Sequence, residues 1–233
     1  MNFWQQKILP ASWRPKNTTH LWMCDDNEKN FAANPRVKWQ GVDIQYKYNS
    51  DGFRTHEFSD FLNKQVNIAL GCSHTEGLGL PIEHVWPSLI EKKLNTPLLN
   101  LGLGGGSSDT VARILTNISG LFQIQKVFIL WPEKHRFECY DEENNKVYAV
   151  GPWSNKEDYF WNMSKANSLQ RLARNQTIVN LLSKQYKFET VELLFEDVLK
   201  IITNDDPARD SKHYGMTPNI QISEWFISLI KQQ

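Results

Sequence analysis

From about residue 65 onward, apolar positions follow a repeated order of short strand, loop and helix. The apolar runs that predict core strands are VNIAL (66–70), PLLNLGL (97–103), residues 126–131 and FETVELLF (188–195). Apolar residues at helical spacing predict helices over 83–94, from Ser107 or Ser108 to about 122, over 164–184, and after Met216. Short apolar strands that alternate with helices are typical of a parallel sheet covered on both faces. The pattern therefore predicts a three-layer α/β/α sandwich with a mainly parallel sheet.

Two segments fall outside this repeat. VDIQYKYN (42–49) alternates apolar and polar positions like a half-exposed edge strand, and the residues before it show no sustained period. We expect residues 1–60 to form an N-terminal extension that packs on a core domain of residues 61–233. RFECYDEENNKVYAVG (136–151) predicts a hairpin that turns at Asn144 and Asn145.

Composition narrows the class of protein. The 26 basic and 26 acidic residues cancel, which argues against binding to nucleic acid. Three scattered cysteines are too few for a disulfide framework or a CxxC metal site, so we expect no metal and no cofactor. No stretch has the apolar core of a secretory signal or the run of about 18 apolar residues that a membrane span needs. These features predict a soluble, cytoplasmic protein, and they leave its oligomeric state open.

A serine and a distant histidine are the candidate reactive groups. Ser73 lies where the first core strand ends and a helix begins, so it is either a helix N-cap or a nucleophile among unpaired N–H groups. Downstream, Asp210 precedes His213 by three residues, and one loop can thus present a general base with the carboxylate that orients it. The alternative for this loop is a capped, solvated turn before the last helix. We expect His74 to point away from the reactive groups.

The glycine-rich loop after the second core strand also has two interpretations. Gly105 and the glycines on either side let backbone N–H groups approach a substrate oxygen, so the Ser73 and Gly105 N–H groups are candidates for an oxyanion hole. Both positions follow core strands and should face one crevice. The rival is a dinucleotide fingerprint in GLGGGS, with Ser107 in place of the last glycine and Glu133 as a ribose ligand.

Taken together, these blocks resemble the SGNH (GDSL-type) hydrolase family over most of the chain. The family's first block, G-D-S-x-T-x-G-x-G, is matched by Gly71, Ser73, Thr75, Gly77 and Gly79. Gly105 resembles the second block, Asp210 and His213 resemble the last, and YNSDGFRTHEF (48–58) resembles a lead-in segment of one branch of the family. One block departs, because the expected G-x-N-D is replaced by WPEKHRF (131–137).

The resemblance implies a flavodoxin-like SGNH hydrolase fold with an N-terminal extension, and a Ser73–His213–Asp210 triad. The implied activity is a serine esterase or acylhydrolase that acts on a small-molecule ester, which can be an O-acyl carbohydrate or a lipid, through an acyl-enzyme. Two alternatives remain: an O-acyltransferase with the same parts, and a non-catalytic carbohydrate-binding or interaction protein on the same fold.

The missing family Asn leaves its position to be filled by other side chains. Glu133 aligns nearest to it, and His135 or Arg136 can supply a donor, unless both are surface residues of the hairpin. Trp131, like Trp153, is a candidate to line a sugar or acyl pocket. Cys72, at the position of the family's Asp, is expected to be a buried packing residue rather than a nucleophile.

Overall fold

The computed structural model describes residues 14–231, apart from residues 34, 142, 144–145, 156–163 and 203–204. The strands of this part, in chain order, are β1 Thr18–His20, β2 Tyr46–Tyr48, β3 Gln65–Leu70, β4 Leu98–Asn100, β5 Gln123–Trp131, β6 Phe137–Asp141, β7 Lys146–Val150 and β8 Glu189–Leu194. The α-helices are α1 Glu28–Ala33, α2 Ser73–Glu76, α3 Trp86–Leu94, α4 Ser108–Ile118, α5 Lys165–Tyr186, α6 Phe195–Val198 and α7 Met216–Ile230.

The central sheet contains four parallel strands in the order β4-β3-β5-β8. These are the four core strands that the apolar runs predict. Counted along the chain, their spatial order is second, first, third, fourth, which is the flavodoxin-like arrangement. The chain reverses its direction of travel across the sheet between β3 and β5. Ligands of open α/β sheets bind at the carboxyl ends of the strands at such a point.

Helices cover both faces of the sheet, and the α/β/α sandwich prediction is confirmed. Side chains of β5 alternate between the two layers, as the pleat requires. Val127 and Ile129 pack in the cluster that includes α4 and α5, whereas Phe128 and Leu130 pack in the cluster that includes α3 and α7. The third core strand is therefore buried on both sides, which explains its fully apolar sequence.

Local sequence signals account for the helix ends. Ser107 is the N-cap of α4, and its hydroxyl and that of Thr110 form a reciprocal capping box. The helix predicted from residue 83 begins as an α-helix only at Trp86, after a 3-10 turn over Ile82–His84. Pro87 lies in its first turn, where the missing N–H of a proline has no cost.

The N-terminal segment, which is the described part of the chain before β3, packs against the loop that follows α2. Strands β1 and β2 pair antiparallel as a separate two-stranded sheet, and β2 is shorter than the predicted strand over 42–49. Helix α1 and strand β1 were not expected, because neither shows a sustained apolar period. The buried residues of this contact come from both sides: Trp39, Ile44, Tyr46 and Tyr48 from the segment, and Leu78, Leu80, Val85 and Ala208 from the core.

The predicted hairpin is present as β6 and β7, which pair with Phe137 opposite Val150. The expected turn residues Asn144 and Asn145 lie outside the described residues. Within the described chain, no helix is both long enough and apolar enough to cross a bilayer.

Candidate active site

Ser73 is the first residue of the short helix α2, directly after β3. Cys72 occupies the N-cap position, so the Ser73 hydroxyl is not the cap of this helix. The side chain is nearly buried, at 6% exposure, and its Oγ lies 2.8 Å from Nε2 of His213. This contact joins residues 140 positions apart in the sequence. The structure therefore excludes the N-cap interpretation and leaves the Ser73 hydroxyl in contact with an imidazole.

A tight turn presents His213 and Asp210 together. The His213 carbonyl accepts a hydrogen bond from the Ala208 N–H at 2.9 Å, and Ser211 adopts a left-handed φ of 65° inside the turn. Asp210 Oδ1 accepts hydrogen bonds from the backbone N–H groups of Lys212 and His213, both at 3.0 Å. Its other oxygen, Oδ2, pairs with Nδ1 of His213. The D-x-x-H spacing thus closes a turn that leaves Nε2 of the imidazole aimed at Ser73.

Asp210 is held in its ionised form. Burial by itself raises the pKa of this carboxyl group, but the hydrogen bonds and charge of His213, with the Lys212 N–H, outweigh burial and lower the pKa below its usual value. Asp210 does cap its own turn, as the alternative of a capped, solvated turn required. The Asp210 side chain itself, however, is not solvated, because only 5% of the residue is exposed.

His74 does not point away from the reactive groups, and that expectation was wrong. Its ring centroid lies 4.9 Å from that of His213 and 4.1 Å from that of Tyr214, and it lines the same cleft as Ser73. Burial, followed by the nearby charges of His213 and Arg136, lowers the pKa of His74 well below its ordinary value. A neutral imidazole therefore packs beside His213.

The glycine-rich loop reaches the cleft at Gly105. Its φ of 75° is one that side chains rarely adopt, and the residue lines the cleft together with Ser73. Among the described residues, neither the Ser73 N–H nor the Gly105 N–H donates a hydrogen bond to another protein group. These two N–H groups are thus available to a substrate oxygen.

The dinucleotide interpretation of this loop fails on the same geometry. The Gly104 N–H donates to Oε2 of Glu76 at 2.6 Å, so a buried carboxylate already occupies the place where a pyrophosphate would need donors. Ser107 is committed to its capping box, and Glu133 accepts a hydrogen bond from Arg136 at 2.8 Å.

The segment that departs from the family pattern, residues 131–137, contributes two of its candidate site residues to the cleft. Glu133 and Arg136 both line it, and the Arg136 guanidinium lies 5.2 Å from the ring centroid of Trp153. His135 is not among the lining residues, although it is only partly buried. Since Arg136 is paired with Glu133, the carboxylate's charge is offset at this part of the cleft.

Trp131 does not line this cleft, and that expectation is corrected. Strand alternation places it with Val127 and Ile129 in the core, where it is 1% exposed. Its Nε1 donates to Glu192 at 2.8 Å, and it borders a different cavity, lined also by Trp225. Trp153, in contrast, lines the cleft with 55% exposure.

The cleft itself has a volume of about 720 Å³, which is in the usual range for small-molecule sites. Leu78, Phe195, Leu199 and Tyr214 supply an apolar wall, and Asp25 and Lys212 form an ion pair at the rim with a 3.0 Å separation. Cys72 is fully buried, and desolvation raises its pKa, so the thiol is a packing residue as expected. Within the described residues, no three His, Cys, Asp or Glu side chains group as metal ligands.

Comparison with known proteins gives structural neighbours only. No protein-family model matches the sequence. No curated protein matches it either. The chain is similar to a solved structure of the psychrotrophic esterase EstA from Pseudoalteromonas sp., with 14% identity and a TM-score of 0.40 over 72% of this chain and 97% of that chain.

Two further solved structures show the same degree of similarity. One is TesA, with 15% identity and a TM-score of 0.41 over 72% of this chain and 99% of that chain. The other is a member of the lipolytic protein G-D-S-L family from Veillonella parvula, with 11% identity and a TM-score of 0.39 over 72% and 100% of the two chains. EstA is an esterase, and the Veillonella parvula protein belongs to the G-D-S-L family of lipolytic proteins. The roles assigned below to individual residues rest on the geometry of this chain.

Two buried ion pairs near the site were missed by sequence reasoning. Glu76 pairs with Arg14, and Asp26 pairs with Arg209, the neighbour of Asp210, in both cases at 2.6 Å. The first pair joins the N-terminal segment to helix α2, and the second joins it to the loop of Asp210. The partners are separated by 62 and 183 positions, and no local pattern signals such contacts.

Proposed function

We propose that this protein is a serine esterase or acylhydrolase that acts on small-molecule or carbohydrate esters, with Ser73 as nucleophile. The observation that supports this proposal best is the 2.8 Å contact between Ser73 Oγ and His213 Nε2, combined with the Asp210 carboxylate on the opposite ring nitrogen. A hydroxyl, an imidazole and an orienting carboxylate in this sequence of contacts are the parts that make an alcohol nucleophilic.

In the acylation step, His213 Nε2 accepts the Ser73 proton while Oγ attacks the ester carbonyl carbon. The carbonyl π electrons move onto oxygen, and the Ser73 and Gly105 N–H groups donate to that oxyanion. The tetrahedral intermediate collapses with cleavage of the ester C–O bond. The leaving alcohol takes the proton from the His213 imidazolium, which leaves an acyl group on Ser73.

In the deacylation step, a water molecule attacks the acyl-enzyme while His213 again accepts a proton. Collapse of the second intermediate releases the carboxylic acid and returns the proton to Ser73 Oγ. Asp210 keeps the Nδ1 proton of His213 in place and stabilises the imidazolium in both steps. Arg136, which lines the cleft and is paired with Glu133, is a further candidate donor to the oxyanion.

Labelling with a fluorophosphonate probe tests the proposal directly. The wild-type protein should gain one covalent adduct on Ser73, located by peptide mass spectrometry, and should hydrolyse p-nitrophenyl acetate. Ser73→Ala and His213→Ala should lose both properties. Ser228→Ala and His84→Ala, which change residues outside the cleft lining, should keep both.

The results also separate the two alternatives. If the acyl-enzyme forms but its acyl group passes to an added alcohol in preference to water, the protein is an O-acyltransferase. If the folded wild-type protein neither labels nor turns over any ester, the non-catalytic binding protein replaces the enzyme.

A further inference from the structure

Glu76 is a buried carboxylate one helical turn after Ser73, with 1% of its surface exposed. The catalytic steps above make no use of it. An ionised carboxylate is costly to bury unless it is paired and hydrogen-bonded, so its partners indicate why it is there.

Four donors saturate this carboxylate. Arg14 donates from Nη1 to Oε1 at 2.8 Å and from Nη2 to Oε2 at 2.6 Å. The Tyr48 hydroxyl donates to Oε1 at 2.7 Å, and the Gly104 N–H donates to Oε2 at 2.6 Å. One side chain on the helix of the nucleophile therefore binds the N-terminal segment and the glycine-rich loop at once.

The Arg14 guanidinium stays charged although it is buried. Desolvation works against the charged form of Arg14, but the adjacent Glu76 carboxylate, helped by smaller neighbouring contributions, raises its pKa on balance. Desolvation and the charge of Glu76 also raise the pKa of Tyr48, which keeps its hydroxyl a neutral donor.

The glycine-rich loop lies directly on this pair. A Cβ added at Gly104 would come within 2.7 Å of Arg14 Nη2 and 3.0 Å of Glu76 Oε2, so a side chain there would push the loop off the pair. Arg14 Nη2 also reaches the Gly104 carbonyl oxygen, at a longer 3.5 Å.

That last contact bears on the orientation of the oxyanion donor. The Gly104 carbonyl and the Gly105 N–H belong to one peptide unit, and in a planar trans peptide these two groups point in opposite directions. When Arg14 holds the carbonyl inward, the Gly105 N–H is turned away from the ion pair. Gly105 lines the cleft.

We propose that Glu76 and Arg14 are positioning residues that hold the Gly104–Gly105 peptide with its N–H facing the cleft, and that the N-terminal segment is thereby part of the catalytic apparatus. This inference rests on the esterase function proposed above. It assigns Arg14, which precedes the sheet by some fifty residues of chain, a role in transition-state stabilisation.

The test uses Glu76→Gln and Arg14→Lys in the full chain, with Val179→Ala as a control. Val179 is fully buried in α5 within the core cluster and does not line the cleft, so its truncation lowers stability without touching the site. Kinetics with p-nitrophenyl acetate, thermal unfolding and the rate and final extent of fluorophosphonate labelling are measured for each protein.

A misplaced oxyanion donor weakens binding of the transition state and leaves binding of the substrate nearly unchanged. We therefore expect Glu76→Gln to lower kcat about 10- to 100-fold with KM within about threefold, since loss of a whole donor costs about 10²- to 10³-fold. Arg14→Lys keeps the charge but loses the two-pronged contact, and kcat should fall about 10-fold. Labelling of Ser73 should be slower in both variants and still reach completion. Val179→Ala should keep the wild-type kcat.

Other outcomes overturn the inference. A kcat within twofold of wild type in a folded Glu76→Gln or Arg14→Lys variant removes the positioning role, and so does incomplete labelling, which would mean that the nucleophile itself is disturbed. If Glu76→Gln does not fold, Arg14→Lys decides alone. An inactive, unlabelled wild-type protein refutes the proposed function and this inference with it, whereas an active wild type with unaffected variants refutes the inference alone.

Discussion

Replacing Asp210 by Asn should abolish most of the activity while the turn survives. In the wild type, Oδ1 accepts the Lys212 and His213 N–H groups, and Oδ2 pairs with His213 Nδ1. The Asn carbonyl can keep the first two hydrogen bonds. Its amide NH₂ must then face Nδ1, and because it donates, Nδ1 has to accept and the ring proton moves to Nε2.

An imidazole protonated on Nε2 cannot accept the Ser73 proton across the 2.8 Å contact. A carboxylate-to-amide change with this consequence lowers kcat about 10⁴-fold, which corresponds to about 5.4 kcal/mol of transition-state stabilisation. The loss should lie in kcat and in kcat/KM alike, because Asp210 is buried and does not line the cleft where a substrate would bind.

Hydrolysis of p-nitrophenyl acetate at pH 7 to 9, with the unfolding temperature measured in parallel, tests this prediction. Asp206→Asn is the matched control, because Asp206 belongs to the same loop and accepts the Thr217 N–H at 2.8 Å but does not line the cleft. It should keep kcat/KM within about twofold. More than about a tenth of wild-type activity in folded Asp210→Asn would refute the triad.

The same carboxylate makes a pH-dependent contribution to stability. Its pKa is lower in the folded protein than in the unfolded chain, where it is about 3.9, so the folded state binds fewer protons. The contribution is therefore complete above about pH 4 to 5 and is lost as the pH falls through the folded-state pKa. On acidification from about pH 5 to pH 2, the unfolding free energy should fall more steeply in the wild type than in Asp210→Asn. If urea titrations show that the unfolding free energy of the two proteins depends equally on pH, the cause given for the pKa shift of Asp210 is contradicted.

Three other changes have outcomes that follow from burial. The unfolded chain protonates His74 below about pH 6.5, whereas the folded protein resists this protonation, so His74→Phe should reduce the loss of unfolding free energy between about pH 7 and pH 5. An unchanged dependence of the unfolding free energy on pH, measured by urea titrations, speaks against that account. Asp26→Asn leaves Arg209 buried without its charge partner, so calorimetry should show that the unfolding free energy falls by about 3–5 kcal/mol and Tm by about 10 °C. A Tm within about 2 °C of wild type would contradict this prediction. Trp131→Phe removes the hydrogen bond to Glu192 and some core volume, so the unfolding free energy should fall by about 1–3 kcal/mol while kcat/KM stays within about twofold of wild type. A fall in kcat without loss of stability would show that Trp131 contributes to the site.

Local elements were predictable wherever one physical signal dominated. The β5 strand is apolar throughout because both faces are covered, and its sequence shows this directly. The start of α4 follows from a serine that can cap it. Strand β1 and helix α1 escaped prediction because α1 buries no residue and β1 has no fully buried side chain, so neither leaves an apolar period.

The candidate triad was predictable for a different reason. A D-x-x-H turn is a local structure, and a serine after an apolar strand followed by a helix has a known place at the edge of a parallel sheet. The prediction of Trp131 as a cleft residue failed, because position at a strand end does not reveal side-chain parity. The prediction that His74 points away from the reactive groups also failed, since the direction of its ring depends on Phe195 and Tyr214 from distant segments.

The sequence by itself determined the order of the core strands and of the long helices between them, the layered class of the fold and the residue types that carry the proposed chemistry, because periodicity and turn residues act over a few positions. Only the tertiary structure decided that Ser73 and His213 are in contact, that Glu76 is clamped by Arg14 and that Trp131 faces the core. These contacts depend on how distant segments pack, and a buried charge or a ring orientation is selected by neighbours that no local window of sequence contains.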